Sequence, residues 1–275
     1  MASAKDIIVK PIAAADARRV VQSVHYSGKT VNNSQLHFGV FLNGRLEGAM
    51  QFGPSLDKRK IQGLVKDTPW NGFIELNRMA FSEALPRNSE SRALAVAFRI
   101  IRKQYPHLEW VVSFADGAQC GDGTIYRASG FVLTGIKKNT QVWEAPSGET
   151  FARMSLTDGK SKQQQQKARQ VVSRVTMTKG GNIGETGGAS MKSFQAAGFK
   201  PIPGFQLRYI YFIDPTARER LTVPVIPFEK IAEMGAGMYR GKARPKQATD
   251  GHPPSSGGAT PTRTLQSTGK RHVPA

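Results

Sequence analysis

Apolar and polar positions recur with different periods along this chain, and the period predicts the element. Ile7–Ile12 reads as a short strand. From Ala13 to Val24 the residues Ala17, Val20, Val21 and Val24 recur at helical spacing, which predicts a helix running into His25 and Tyr26, with Gly28 as its stop. Two strand-like runs, Leu36–Leu42 and Arg45–Phe52, flank Asn43–Gly44, the dipeptide that favours a two-residue hairpin turn. A polar insertion holding Asp57–Lys60 and Pro69–Trp70 precedes the strand Phe73–Phe81. Strict alternation puts Glu75, Asn77 and Met79 on one face of that strand and Ile74, Leu76, Arg78 and Ala80 on the other. Neither face is purely apolar, so the strand is more than scaffold. A helix over Ser91–Tyr105 aligns Leu94, Ala97, Phe98 and Ile101, and Pro106 ends it.

The stretch Phe114–Phe131 organises the rest. Trp110–Ala115 predicts a buried strand that stops at Asp116. Glycines 117, 121 and 123 then allow the backbone to turn, and a short helix ends at Gly130. Strand signals follow at Phe131–Thr134, Gln141–Trp143 and Phe151–Leu156, and a last clear strand at Leu207–Ile213. Between Thr157 and Pro203 the texture changes to a Gln163–Gln166 run, scattered glycines and a weak helical segment at Lys167–Val175. Pro224–Met238 is a small closing segment, and from Arg240 the chain is rich in Pro, Gly, Ser and Thr, the composition of a disordered tail. The expected organisation is a domain built from residues 1–156 and 204–239, a basic insertion at 157–203 and a basic tail at 240–275. The fold class is α/β: a mixed, largely antiparallel sheet flanked by helices, with the insertion before the last strand.

Charge adds a partner. The 275 residues carry a formal net charge of +19, with a pI near 10.3. Residues 157–206 hold 8 basic and 2 acidic side chains, and residues 235–275 hold 7 and 1. Excess charge concentrated in appendages points to a polyanion; nucleic acid is the first choice and an anionic membrane surface the second. Lys160, Lys162, Lys167, Arg169, Arg174 and Lys179 form a candidate arm for the backbone of double-stranded DNA, a flexible basic linker being the plainer reading. The single cysteine, Cys120, excludes an internal disulfide and an all-Cys metal cluster, and fits a reducing cytoplasm. No apolar run reaches the length of a bilayer span, and the N-terminus lacks a signal-peptide core, so a soluble intracellular protein without a membrane partner is expected.

Chemistry-bearing residues each have a plain alternative. Asp116 is either an Asx-turn residue organising the glycine loop or a general base or metal ligand. Tyr126 either packs on the sheet or belongs to a site. His25 and Tyr26 either finish a helix, with the imidazole at its negative end, or face a substrate. Glu75, Asn77 and Arg78 are either a satisfied polar network or the wall of a site with Glu75 as base. Cys120 gains a nucleophile's reactivity only beside a group that lowers its pKa. His25 and Asp116, with Tyr26 or Glu75, supply nitrogen and oxygen ligands suited to non-haem iron, although no H-x-D or H-x-x-H spacing supports a metal.

Tyr126–Phe131 matches Y-x-x-x-G-F, and with the element order β-α-β-β-β-α-β-α-β-β it resembles the Gcn5-related N-acetyltransferase (GNAT) superfamily. Four further blocks, His25–Lys29, Glu75–Met79, Phe114–Asp116 and Gly204–Phe212, resemble the Mom family of phage DNA-modification proteins. The GNAT resemblance implies a fifth strand splayed from its neighbour, Tyr126 as general acid toward a leaving thiolate, and a Glu75 strand lining the groove. The Mom resemblance implies a transferase that places a carbamoylmethyl (acetamido) group on the exocyclic amine of adenine in DNA. Such a product shields phage DNA from host restriction, in the cytoplasm of the infected bacterium. It also implies functional roles at the positions of His25, Tyr26, Asp116 and Tyr126, with Tyr26 stacking on a flipped adenine and iron as an associated metal. The alternatives are an ordinary GNAT N-acetyltransferase of protein or small amines, and a non-catalytic DNA-binding protein on that scaffold.

The donor is the weakest point of the resemblance. GNATs grip the pyrophosphate of acyl-CoA with [RQ]-x-x-G-x-[GA] at the start of the third helix. Here Arg87–Arg92 offers Arg87, with Ser89 near the turn, but both small positions differ and Arg92 and Glu90 crowd it. An acyl-CoA donor is therefore disfavoured. An aminoacyl-tRNA could use Arg87 and Arg92 as phosphate contacts, and a glycyl group is an isomer of the acetamido group that would require rearrangement. The oligomeric state, a dimer included, stays open.

Overall fold

The structure, a computed structural model, describes residues 2–25, 30–116, 121–153, 156, 191–236, 238–239 and 242–243. Tyr26, Cys120, the proposed DNA-binding arm from Lys160 to Lys179, the weak helix at Lys167–Val175 and the tail beyond residue 243 lie outside these. The chain divides into two compact units, the first made of residues up to Ser113 with Tyr211–Thr222, the second of Phe114–Ile210 with the segment from Val223.

The first unit contains β1 (Ile8–Pro11), α1 (Ala14–Val24), β2 (Leu36–Leu42), β3 (Arg45–Gly53), α2 (Lys58–Gln62), β4 (Phe73–Phe81), α3 (Ser89–Gln104) and the start of β5 (Trp110–Asp116). Its strands lie in the order β1-β2-β3-β4-β5. The first three pairings are antiparallel. The last is parallel and joins Phe73–Glu75 to Trp110–Val112, a short stretch of two longer strands. The expected mixed, mostly antiparallel α/β architecture is therefore present. Asn43 and Gly44 turn the β2–β3 hairpin with φ of 50° and 79°, the positive values that both central positions of a type I′ turn require.

Both main helices bury the faces that the pattern predicts. Ala17, Val20 and Val21 of α1 pack on Ala49 and Ala80 of β3 and β4. Ala93, Leu94, Ala97, Phe98 and Ile101 of α3 are buried, and Phe98 stacks on Tyr211 at 4.1 Å between ring centroids. Trp110, fully buried, stacks on Phe73 at 4.5 Å and donates its indole N–H to Thr68 at 3.0 Å.

One local expectation changes. The register of β3 and β4 slips at Gln51/Phe52, so that Gln51 faces Arg78 and Gly53 faces Glu75. Asn77 is the extra residue of this bulge, and Glu75 and Arg78, three apart, share the face of Gln51 and Gly53. Strict alternation had separated them.

The second unit holds the end of β5, α4 (Thr124–Ala128), β6 (Val132–Asn139), β7 (Val142–Glu144), β8 (Thr150–Ala152), α5 (Met191–Ala196), β9 (Lys200–Pro201), most of β10 (Gly204–Phe212) and α6 (Glu229–Glu233). β10 runs antiparallel to β6, and a small sheet has the order β8-β7-β9. Phe194 and Phe199 are buried with Trp143, Phe151 and Leu156 in one apolar cluster. The last part of the stretch read as insertion is thus folded against the small sheet. Among the described residues no helix is long and apolar enough to cross a membrane.

Candidate active site

The bulge creates the most unusual electrostatic environment of the first unit. Glu75 is half-buried on β4, and loss of water around its carboxylate raises its pKa above the ordinary carboxylate value. Hydrogen bonds from Ser55 and the Asn77 amide, and the Arg78 cation, pull in the opposite direction without cancelling the effect. The Ser55 hydroxyl donates to Glu75 Oε2 at 2.5 Å and is itself buried. Arg78 donates to the Asn77 carbonyl at 2.6 Å, which holds its guanidinium along the strand.

His25 ends α1, its backbone N–H closing the last turn on the Val21 carbonyl at 3.0 Å. Burial, and then the positive charge of Arg78, lower its pKa from 6.5 to about 4. At neutral pH the imidazole is therefore uncharged and can accept a proton or a hydrogen bond. Glu75 and His25 depart from their usual values in opposite directions while sharing Arg78 as neighbour, a pattern typical of sites that move protons.

Two buried acceptors complete this wall. Gln51 is fully buried; its amide N–H donates to Ser34 Oγ at 3.3 Å, but its Oε1 has no hydrogen-bond partner among the described residues. Asn77 Oδ1 is likewise buried without one. It closes over Gly53, where an added Cβ would lie 2.6 Å from that oxygen and 2.8 Å from Ser34 Cα. Ser34 gives its only proton to the Val31 carbonyl at 2.9 Å, so the 2.9 Å contact with His37 Nε2 must be donated by the imidazole. Orphaned buried oxygens are uncommon and call for a ligand or water as donor.

The second unit presents a different corner. Asp116 is the last residue of β5 and half-buried. Tyr126 on α4 lies 5.2 Å from the Phe131 ring and 5.1 Å from the Tyr209 ring. Tyr209 is fully buried and donates its hydroxyl to the Asp122 carbonyl at 2.5 Å. Gly123, at φ 77°, precedes α4, and a Cβ there would lie 2.6 Å from Tyr209 Cε2. Glycine is needed twice over, for the backbone angle and for the ring.

The remaining sequence-predicted residues fall as follows. Arg87 and Arg92 are exposed at the start of α3, but Ser89 is fully buried and its hydroxyl donates to the Pro86 carbonyl at 2.6 Å. Among the described residues no three His, Cys, Asp or Glu side chains gather into a group that could hold a metal, and His25 and Asp116 belong to different units. Sequence reasoning missed Ser55, Gln51, Ser34 and Tyr209.

A carboxylate with a raised pKa, a neutral imidazole and two unpaired buried acceptors thus lie along one wall of the first unit, and this protein is a transferase by its relationship to a methylcarbamoylase. The model of the Mom protein family matches residues 6–230, and the chain belongs to that family. Methylcarbamoylase Mom of Escherichia phage Mu is 35% identical over 218 residues, which are 79% of this chain and 80% of the relative. Among solved structures, Arabidopsis thaliana NAA60 in complex with a bisubstrate analogue is 9% identical, covering 75% of this chain and 97% of its own, with a TM-score of 0.43. The IAA acetyltransferase from Bacillus cereus is 10% identical, covering 75% and 99%, with a TM-score of 0.37.

Proposed function

We propose that this protein modifies DNA by placing a carbamoylmethyl group on the exocyclic amine of adenine, and so protects phage or prophage DNA from restriction. The observation that carries the chemistry is the half-buried Glu75 carboxylate, held by Ser55 and Asn77. An adenine amine is a weak nucleophile because its lone pair is delocalised into the ring. It needs a base to accept its proton as the new N–C bond forms and the bond from that carbon to the donor's leaving group breaks; with a glycyl ester of tRNA this step gives the isomeric glycyl amide, which must then rearrange to the carbamoylmethyl group. A carboxylate whose pKa is raised by burial is a stronger base than one in water. Asn77 Oδ1 and Gln51 Oε1 are acceptors that a donor N–H group of a ligand would satisfy. His25, neutral at pH 7, can relay the released proton.

The target base must leave the duplex to reach such a site, because its amine is otherwise paired and stacked. The family resemblance gives Tyr126 as acid toward the leaving group and Asp116 as the alternative base, both residues of the second unit. Arg87 and Arg92 are the contacts for a polyanionic donor, an aminoacyl-tRNA before an acyl-CoA, while Ser89 is occupied by Pro86. The arm from Lys160 to Lys179 would add phosphate contacts that position the enzyme without reading sequence. Iron is proposed from the Mom resemblance alone, since among the described residues no three His, Cys, Asp or Glu side chains gather, and the steps above rest on the chain's own side chains.

The deciding experiment is mass spectrometry of nucleosides from DNA of cells expressing the protein. A carbamoylmethylated adenine that disappears in Glu75→Gln is expected. Unmodified adenine in wild-type cells would overturn the reading and favour an N-acetyltransferase of protein or small amines. Metal analysis of the purified protein, with and without His25→Ala, tests the iron.

A further inference from the structure

The connection between β3 and β4 carries more than its role of holding Ser55 against Glu75. Its base is firmly set: Ile61, Leu64 and Val65 are buried, Lys66 N–H donates to the Arg220 carbonyl at 2.8 Å, and Thr222 Oγ1 donates to Gly63 at 2.8 Å. Its tip is the opposite. Leu56 is 91% exposed, the most exposed large apolar side chain among the described residues, where the next is Ile8 at 62%. The residue before it, Ser55, is buried on the Glu75 carboxylate. One peptide bond thus separates a side chain held in the site from a leucine presented to solvent.

The surroundings of Leu56 are basic. Lys58, Arg59 and Lys60 follow on α2, Lys66 comes next, and Asp57 and Asp67 are the acidic residues of the segment. Lys58 Nζ sits 4.5 Å from the centre of the half-exposed Trp70 ring and donates to Asn71 Oδ1 at 3.1 Å, which orients the ammonium. A projecting aliphatic side chain followed at once by three cations in the sequence fits a duplex with one base withdrawn: the leucine occupies the vacated place in the stack and the cations serve the flanking phosphates.

We propose that Leu56 is a wedge that enters the base stack of duplex DNA as the target base is drawn out toward Glu75, with Lys58, Arg59 and Lys60 on the adjoining backbone. This rests on the DNA-modifying reading above. Leu56 contacts the stack and not the reacting atoms, so its removal acts on extrusion.

The test uses the full chain and duplexes carrying 2-aminopurine at adenine positions, whose fluorescence rises on unstacking. Wild type is expected to raise the signal. Leu56→Ala, harmless to folding at so exposed a site, is expected to bind duplex within about threefold of wild type but to raise the signal weakly. It should modify duplex about ten- to a hundredfold more slowly, since unstacking costs a few kcal/mol, yet match wild type where the target adenine is mismatched or single-stranded. Leu56→Met should restore duplex activity. Replacing Lys58, Arg59 and Lys60 together by Ala should lower the salt slope of binding by up to about three. Duplex modification and fluorescence by Leu56→Ala equal to wild type would overturn the wedge while leaving the DNA-modifying reading intact. So would Leu56-dependent binding to phosphatidylserine vesicles without effect on DNA. Wild-type protein that neither binds nor modifies DNA would overturn both.

Discussion

The β3–β4 wall and the β5–α4 corner use polar residues in opposite ways. In the wall, Gln51 is buried and Asn77 half-buried, each with an amide oxygen that finds no partner among the described residues, beside the half-buried Glu75. In the corner, Tyr209 is buried with its hydroxyl fully engaged on Asp122, and Tyr126 lies between two aromatic rings. Incomplete satisfaction costs stability, and its concentration on one wall is what supports the proposal that a substrate supplies the missing partners there. The corner is instead organised so that a glycine turn keeps its shape.

The largest effect expected from this contrast is at Glu75. Glu75→Gln keeps the size of the side chain and an acceptor for Ser55, but removes the base. Its turnover should fall about 10²- to 10⁴-fold. Because the folded-state pKa is raised, the carboxylate destabilises the fold once pH exceeds that pKa, so the variant should be as stable as wild type or more so at pH 7. Wild-type kcat/KM should climb with pH through a value above 4.5 and that limb should vanish in the variant. A variant that loses stability and activity in proportion would make the wall scaffold like the corner.

Gly123→Ala should have the next effect, and it should be on folding. The new methyl must enter a φ of 77° and meet the Tyr209 ring at 2.6 Å. The two penalties together amount to about 3 kcal/mol, read as a shift in urea midpoint. A Gly123→Ala protein of wild-type stability would show that the corner adapts, and the contrast with the wall would weaken.

How much of this was readable in advance depends on whether local rules decided the outcome. Asn43–Gly44, the apolar stripes of α1 and α3, and the glycine at 123 were legible because turn angles and helix period are properties of neighbouring residues. The Glu75–Arg78 pairing was not: a bulge between β3 and β4 inserted Asn77 and overrode the period of two. Ser55 and Gln51 were hidden for the same reason, since what they touch is set by strand register. Phe194 and Phe199 were hidden by composition. Basic and glycine-rich surroundings masked two aromatic side chains that complete a small core. Glu75 and Arg78 themselves were flagged by their oddness on a strand, which is a signal of conflict between local pattern and burial.

A third test separates the regions by pH. His25 is held at a pKa of about 4 in the folded protein against 6.5 when exposed. Between these values the unfolded chain binds a proton that the folded chain refuses. Stability should therefore be full above pH 6.5 and fall as pH drops toward 4, by about 3 kcal/mol from this group. Urea titrations of His25→Asn should show that loss reduced. An unchanged acid profile would remove the imidazole from the buried wall.

The smallest effect sharpens the assignment of the two tyrosines. Tyr209→Phe deletes the hydroxyl that holds the Asp122 carbonyl, and should cost about 1 kcal/mol, the net worth of a neutral hydrogen bond. Its activity per folded molecule should stay near wild type, because the ring that fills the space beside Gly123 is retained. Tyr126→Phe keeps the stacking against Phe131 and Tyr209, so its stability should change by less than about 0.5 kcal/mol. If the Tyr126 hydroxyl protonates the leaving group, the loss appears in kcat with KM unchanged. Equal kinetic behaviour of the two variants would instead leave the Tyr126 hydroxyl with no part in the chemistry.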